Sequence, residues 1–144
     1  MNNSSNIIEN RDEPPWSAGV IIVKKFGKEW KFLSLVTDTG KYDITKGIVE
    51  HGEKDIDAAI REAHEEAGIS LSGDDFIWGS DSISYGRGVA YLAMTEQVPV
   101  VSPNPVTGIL EHRYAMWVSF ETMVENTINF LKPSIVWAFN KING

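Results

Sequence analysis

Cysteine is absent from all 144 residues, so no disulfide framework, thiolate metal site or thiol nucleophile contributes, and a reducing compartment is allowed though not required. Basic residues are also scarce: 13 Lys and Arg stand against 20 Asp and Glu, a formal charge of −7. That balance argues against a stable nucleic-acid complex held by the backbone charge, and leaves room for a local basic pocket. No apolar run approaches the ~18 residues that a membrane span needs. The opening MNNSSNIIENRDEPP carries acids where a signal peptide has a basic end followed by an apolar run. The expectation is a cytoplasmic protein with no membrane attachment, a loose tail over 1–15 and a single domain over 16–144. A content of 42% hydrophobic and 23% charged residues suits one modest core.

What is present alternates strand signals with two helices, without internal repeats. SAGVIIVKK (17–25) is the β-branched run of a buried strand, and WKFLSLVTD (30–38) follows after the Phe26-Gly27-Lys28 turn signal, so the two read as a hairpin. GVAYLAMTEQ (88–97) and RYAMWVSF (113–120) read as further strands, separated by a polar, proline-broken loop. Near the C-terminus, Pro133 suits a first helical turn, and Ile135, Val136, Phe139 and Ile142 fall at helical spacing.

The stretch GIVEHGEKDIDAAIREAHEEAGI, residues 47–69, holds the other helix. Ile56, Ala59, Ile60, Ala63 and Ala67 recur at intervals of three and four, one apolar stripe that faces a sheet, and Gly68 supplies the stop. Glu62, Glu65 and Glu66 stand on another side, where their carboxylates converge. Like charges at this spacing repel by a few tenths of a kcal/mol per pair, roughly. A solvated acidic face explains such crowding poorly here, because no Lys is interspersed. Hard divalent cations take oxygen ligands, and magnesium is held by a few carboxylates together with waters and substrate phosphates. A bound cation turns the repulsion into attraction.

Other motifs fall away. GRGVAY (86–91) has Tyr91 where a dinucleotide loop needs its third glycine. His64-Glu65 lacks the second histidine of a zinc protease helix. His51, His64 and His112 show no ligand spacing, and each is expected at the surface.

The same stretch resembles the Nudix hydrolases. Their box has Gly, five residues, Glu, seven residues, Arg-Glu, an apolar residue, any residue, Glu-Glu, any residue, Gly and an apolar residue. Here those places hold Gly47, Glu53, Arg61, Glu62, Ala63, Glu65, Glu66, Gly68 and Ile69. The resemblance implies an α/β fold, an α/β/α sandwich whose mixed central sheet lies between the box helix and the C-terminal helix. It implies hydrolysis of a nucleoside diphosphate linked to another group, with Mg2+ or Mn2+ as cofactor and a small-molecule nucleotide as partner, by a monomer or homodimer. By motif position Glu62, Glu65, Glu66 and the backbone carbonyl near Lys46 and Gly47 form the metal face. Glu53 pairs with Arg61 to fix the loop against the helix, and Glu50 is merely solvated.

Beyond the box, KYDITKG resembles the Pro-Lys-Gly lead-in of hydrolases of diadenosine polyphosphates and of diphosphoinositol polyphosphates, with Thr45 replacing the proline. SYGRGVAYLA and EHRYAMWVSFETMVE resemble the phosphate-contacting strand of dinucleoside polyphosphate hydrolases and their Glu-His loop, Trp strand and short helix. Carried over by position, Lys46 and Arg87 contact phosphates, Tyr85 or Tyr91 contacts phosphate or base, and Glu111 is a further metal ligand or the general base. Glu62, Glu65 and Glu111 are then the catalytic carboxylates. The leading substrate is a dinucleoside polyphosphate. ADP-ribose, an RNA 5′ end and an oxidised nucleoside triphosphate stand as alternatives, and so does a sensing module without turnover.

Overall fold

The unbroken apolar run Val20-Ile21-Ile22-Val23 has no polar alternation because both faces of its strand are covered. In the computed structural model, which describes residues 15–144, this run lies in β1 (Ser17–Phe26). Ala18, Val20 and Ile22 enter one core cluster, while Ile21 and Val23 enter another on the opposite face. The tail expected over 1–15 falls, except for Pro15, outside the described residues.

β1 turns back into β2 (Glu29–Val36), the expected hairpin, with Val23 opposite Phe32. Short strands β3 (Tyr42–Asp43) and β4 (Thr45–Ile48) follow, then the box helix α1 (Asp55–Ala67). β5 (Ile83–Tyr85) and β6 (Gly88–Met94) form a second hairpin. β7 (Tyr114–Val118) leads into α2 (Phe120–Asn126), whose first turn is capped by the Ser119 hydroxyl accepting from the Thr122 N–H, and α3 (Lys132–Asn143) closes the chain.

The sheet runs β3-β2-β1-β6-β5, with β4 also paired to β1 and β7 to β2. β1 and β6 run parallel while the other strand pairs are antiparallel, so the sheet is mixed as expected. α1 covers one face through Ala58, Ala59, Ala63 and Ala67, each fully buried. α2 and α3 cover the other through Met123, Ile135 and Ala138. The α/β/α sandwich is therefore the observed architecture, and the segment 98–112 holds neither helix nor strand.

The stripe expected on α3 needs one correction. Val136 is 39% exposed, and the fully buried apolar positions are Ile135 and Ala138. A spacing of three puts Ala138 under Ile135, and a small residue there lets the helix approach the sheet.

Candidate active site

α1 ends where the sequence placed its stop. Gly68 adopts a left-handed φ of 66°, its N–H reaches the His64 carbonyl at 3.0 Å, and the Ile69 N–H reaches that of Ala63 at 3.3 Å. With the alanine stripe packed on the sheet, the flank of α1 beside β4 presents Glu62, Glu65 and Glu66 to a cleft of about 490 Å³. Its walls also include Lys46 and Gly47 of β4, and Glu111 and His112 from the loop before β7.

β4 fits against α1 without clearance. A Cβ on Gly47 would overlap the Glu62 carboxylate, which is why this place in the box takes glycine. One residue earlier, the Lys46 N–H donates to the Glu66 carboxylate at 2.9 Å. Glu66 is half-buried. Removal from water, together with the neighbouring charges of Glu62 and Asp43, pushes it up to about 8 even though the Lys46 N–H and charge pull the other way. Burial also raises Glu62, partly offset by Arg61 and reinforced by Glu65 and Glu111.

Arg61 threads the cluster. Its Nε and Nη2 donate to the two oxygens of Glu53 at 2.9 and 3.0 Å, the bidentate pairing expected of these residues. Nη2 also reaches the Ile48 carbonyl at 3.0 Å. Nη1 donates to Glu62 at 2.9 Å and to Glu65 at 3.3 Å. The hydrogen bond to Glu53 does most to raise the guanidinium and to lower Glu53 in turn. Glu50 is exposed on the rim of the cleft, and its N–H donates to Glu53 at 3.0 Å.

A divalent ion tests this donor set. The chemistry fits: all the groups are hard oxygens, and two of the carboxylates are held in surroundings that penalise their charge until a cation arrives. Among the described residues, no three acidic or histidine side chains are already gathered closely enough to hold an ion. Arg61 Nη1 instead donates to both Glu62 and Glu65.

The outer residues separate into two groups. Lys46, Tyr85 and Arg87 come together in a second cavity of about 340 Å³, which Phe130 also lines. Lys46 belongs to both cavities. Tyr85 is set there by the tight β5–β6 hairpin, where a Cβ on Gly88 would meet the Ser17 carbonyl at 2.6 Å and the Tyr85 ring at 2.8 Å. Its hydroxyl lies 2.7 Å from the Ser17 hydroxyl, and burial pushes it up to about 12. The Phe130 ring, 5.9 Å from that of Tyr85, is half exposed. The Arg87 guanidinium lies over Trp16 at 5.9 Å. Tyr91 instead points into the core beneath α1, packed with Val20 and Ala63, and lines neither cavity.

Three placements escaped the sequence reading. His112, expected at the surface, is buried, with Nε2 3.3 Å from Asp43 Oδ2. Asp43 itself was passed over, because β3 is only two residues long and has no periodicity to read. Phe130 carried no motif either. Its signal was the oddity of a large apolar residue between Asn129 and Leu131-Lys132, just before the predicted helix.

The family model described as NUDIX domain matches residues 13–137. Among solved structures, the chain is similar to a C. elegans Ap4A hydrolase binary complex at 22% identity and a TM-score of 0.68, over 90% of this chain and 97% of that one. A MutT protein from Methanosarcina mazei Go1 is 20% identical at a TM-score of 0.63, over 90% and 96%. The NUDIX domain of Shewanella oneidensis NrtR complexed with ADP ribose is 9% identical at 0.63, over the full length of both chains. At such identities the likeness shows the fold. No curated protein sequence matches the chain, and no described helix is long and apolar enough to cross a membrane.

Proposed function

The chain belongs to the NUDIX domain family as one of its hydrolases, and from that premise we propose that it is a divalent-metal-dependent pyrophosphohydrolase with a dinucleoside polyphosphate as leading substrate. The observation that carries this reading is the pair of cavities joined at Lys46, one acidic and one lined by Tyr85, Arg87 and Phe130. A phosphate chain laid across Lys46 has its scissile anhydride over the carboxylates and a nucleoside among the aromatics.

Glu62, Glu65, Glu66, Glu111 and the Gly47 carbonyl would hold Mg2+ or Mn2+, which supplies Lewis-acid polarisation of a phosphoryl oxygen and a more acidic water. The protein's own part is positional. Glu65 or Glu111, both lining the cleft, would take the proton from attacking water as its oxygen bonds to phosphorus and the bridging oxygen leaves. Lys46 and Arg87 meet the negative oxygens beyond the scissile bond. Glu53 and Arg61 tie the segment after β4 to α1, so that the carboxylates keep their spacing.

ADP-ribose is the second reading, favoured by the full-length match to a NUDIX domain complexed with it. Incubation with Mg2+ and a panel of nucleotides, followed by chromatography of the products, tests both. Fastest cleavage of a dinucleoside tetraphosphate supports the leading reading, preference for ADP-ribose replaces it with the second, and turnover of neither removes both.

A further inference from the structure

Lys46 is held at two ends. Its N–H donates to Glu66, and its ammonium donates to Asp43 Oδ2 at 3.0 Å. The same Oδ2 faces His112 Nε2 at 3.3 Å, across 69 residues of sequence, while Asp43 Oδ1 accepts the Ile44 N–H at 2.8 Å. Asp43 is 5% exposed and His112 is 7% exposed. One buried carboxylate thus ties the lysine shared by both cavities to the residue that follows Glu111.

We propose that Asp43 is a positioning residue for hydrolysis. It aims the Lys46 ammonium at the junction of the two cavities and, through His112, pins the Glu111 loop to the wall of the acidic cleft. The inference rests on the pyrophosphohydrolase reading and deepens it. Three features support it. Lys46 carries a flexible four-carbon stem, and an ammonium left to swing in water would have to be ordered anew in each turnover. Asp43 stays charged for this purpose: burial works against its ionisation, but the His112 hydrogen bond and Lys46 outweigh it and hold the carboxyl below its ordinary range. The loop from Ser102 to Glu111 has no regular structure, and beyond Asn104, which donates to Glu111 at 2.9 Å, the His112 contact is a buried fastening to the sheet.

A positioning role predicts a particular kinetic pattern. Asp43→Asn keeps an acceptor for the Ile44 N–H and removes the charge that steers Lys46. The ammonium is then freer to meet ground-state phosphate yet less well placed for the charge that develops during cleavage. The expected result is a ten- to fifty-fold fall in kcat on a dinucleoside tetraphosphate, with KM unchanged or lower. Lys46→Met should raise KM as well as lower kcat. In the Lys46→Met background, adding Asp43→Asn should cost less than it does in the wild type, because only the loop contact through His112 remains to be lost. A merely structural Asp43 would give multiplicative losses in the double variant, and that result overturns the proposal, as does wild-type kcat in Asp43→Asn. Asp43→Ser carries the same expectations should the asparagine variant unfold at the assay temperature. Hydrogen exchange supplies a readout independent of turnover: amides of residues 108–113 should exchange faster in Asp43→Asn than in wild type, and unchanged exchange overturns the loop half of the proposal. A wild-type protein without turnover would instead sink the pyrophosphohydrolase reading itself.

Discussion

Glu66 concentrates the tension in the site. Its carboxyl, pushed up to about 8 by burial and by Glu62 and Asp43, binds a proton in the folded protein at pH values where the unfolded chain has lost it. Between roughly 4.5 and 8 the folded state therefore holds more protons, so folding stability falls as pH rises through that window. Each pKa unit corresponds to about 1.4 kcal/mol, which places the cost at pH 8 on the order of a few kcal/mol. Glu66→Gln keeps an oxygen for the Lys46 N–H and removes the charge. Its Tm in divalent-free buffer at pH 8 should exceed that of wild type, and the gap should close as the pH approaches 5. Turnover should fall by at least about 100-fold, since even partners outside the ligand shell cost 10–100-fold. Scanning calorimetry at the two pH values and a rate assay check both halves.

At the scale of elements, helix and strand existence was largely legible while the joints were not. The alanine stripe of α1, its Gly68 stop, the β1–β2 hairpin and the helix after Pro133 follow from periodicity and turn chemistry that operate within a dozen residues. β3, β4 and β5 are two to four residues long, too short for a period, and exist because β1, β2 and β6 offer them partners. The box carboxylates were legible because their spacing is local. The Asp43–His112 contact and the pairing of Tyr85 with Phe130 were not, since they depend on long-range closure. Val136 went wrong because its neighbour Ile135 takes the buried direction. Two expectations belong at this scale. Gly47→Ala forces the Glu62 carboxylate out of its place beside β4. Because a side chain can swing while backbone cannot, activity should collapse with a Tm change of only a few degrees. Ser134, in the first turn of α3, is buried, and its hydroxyl has no hydrogen-bond partner among the described residues. Ser134→Ala should stabilise the protein by about 1 kcal/mol, from helix propensity and the removed desolvation cost, and urea unfolding will read it.

Over the whole molecule, a sheet buried on both faces gives a rigid floor from which α1, the β5–β6 hairpin and the loop before β7 converge on one junction. Although the chain carries a net charge of −7, Lys46 lines both cavities and Arg87 lines the second, cations that the phosphates of the proposed substrate would meet. In the proposed reading, a substrate with four linked phosphates would reach beyond the carboxylates, whereas a diphosphate would not. Arg87→Ala should accordingly reduce kcat/KM for a dinucleoside tetraphosphate by about 1.5–3 kcal/mol of transition-state binding and affect ADP-ribose far less. Equal losses on both would place Arg87 against phosphates common to the two.

The most direct test of the central claim is the rate of dinucleoside tetraphosphate cleavage by the wild-type protein as Mg2+ is titrated from a chelated start. The account predicts no turnover with chelator, a saturable rise with Mg2+, and mononucleotide products that together hold all four phosphates. Turnover that persists in chelator, or none at saturating Mg2+ or Mn2+, would contradict it.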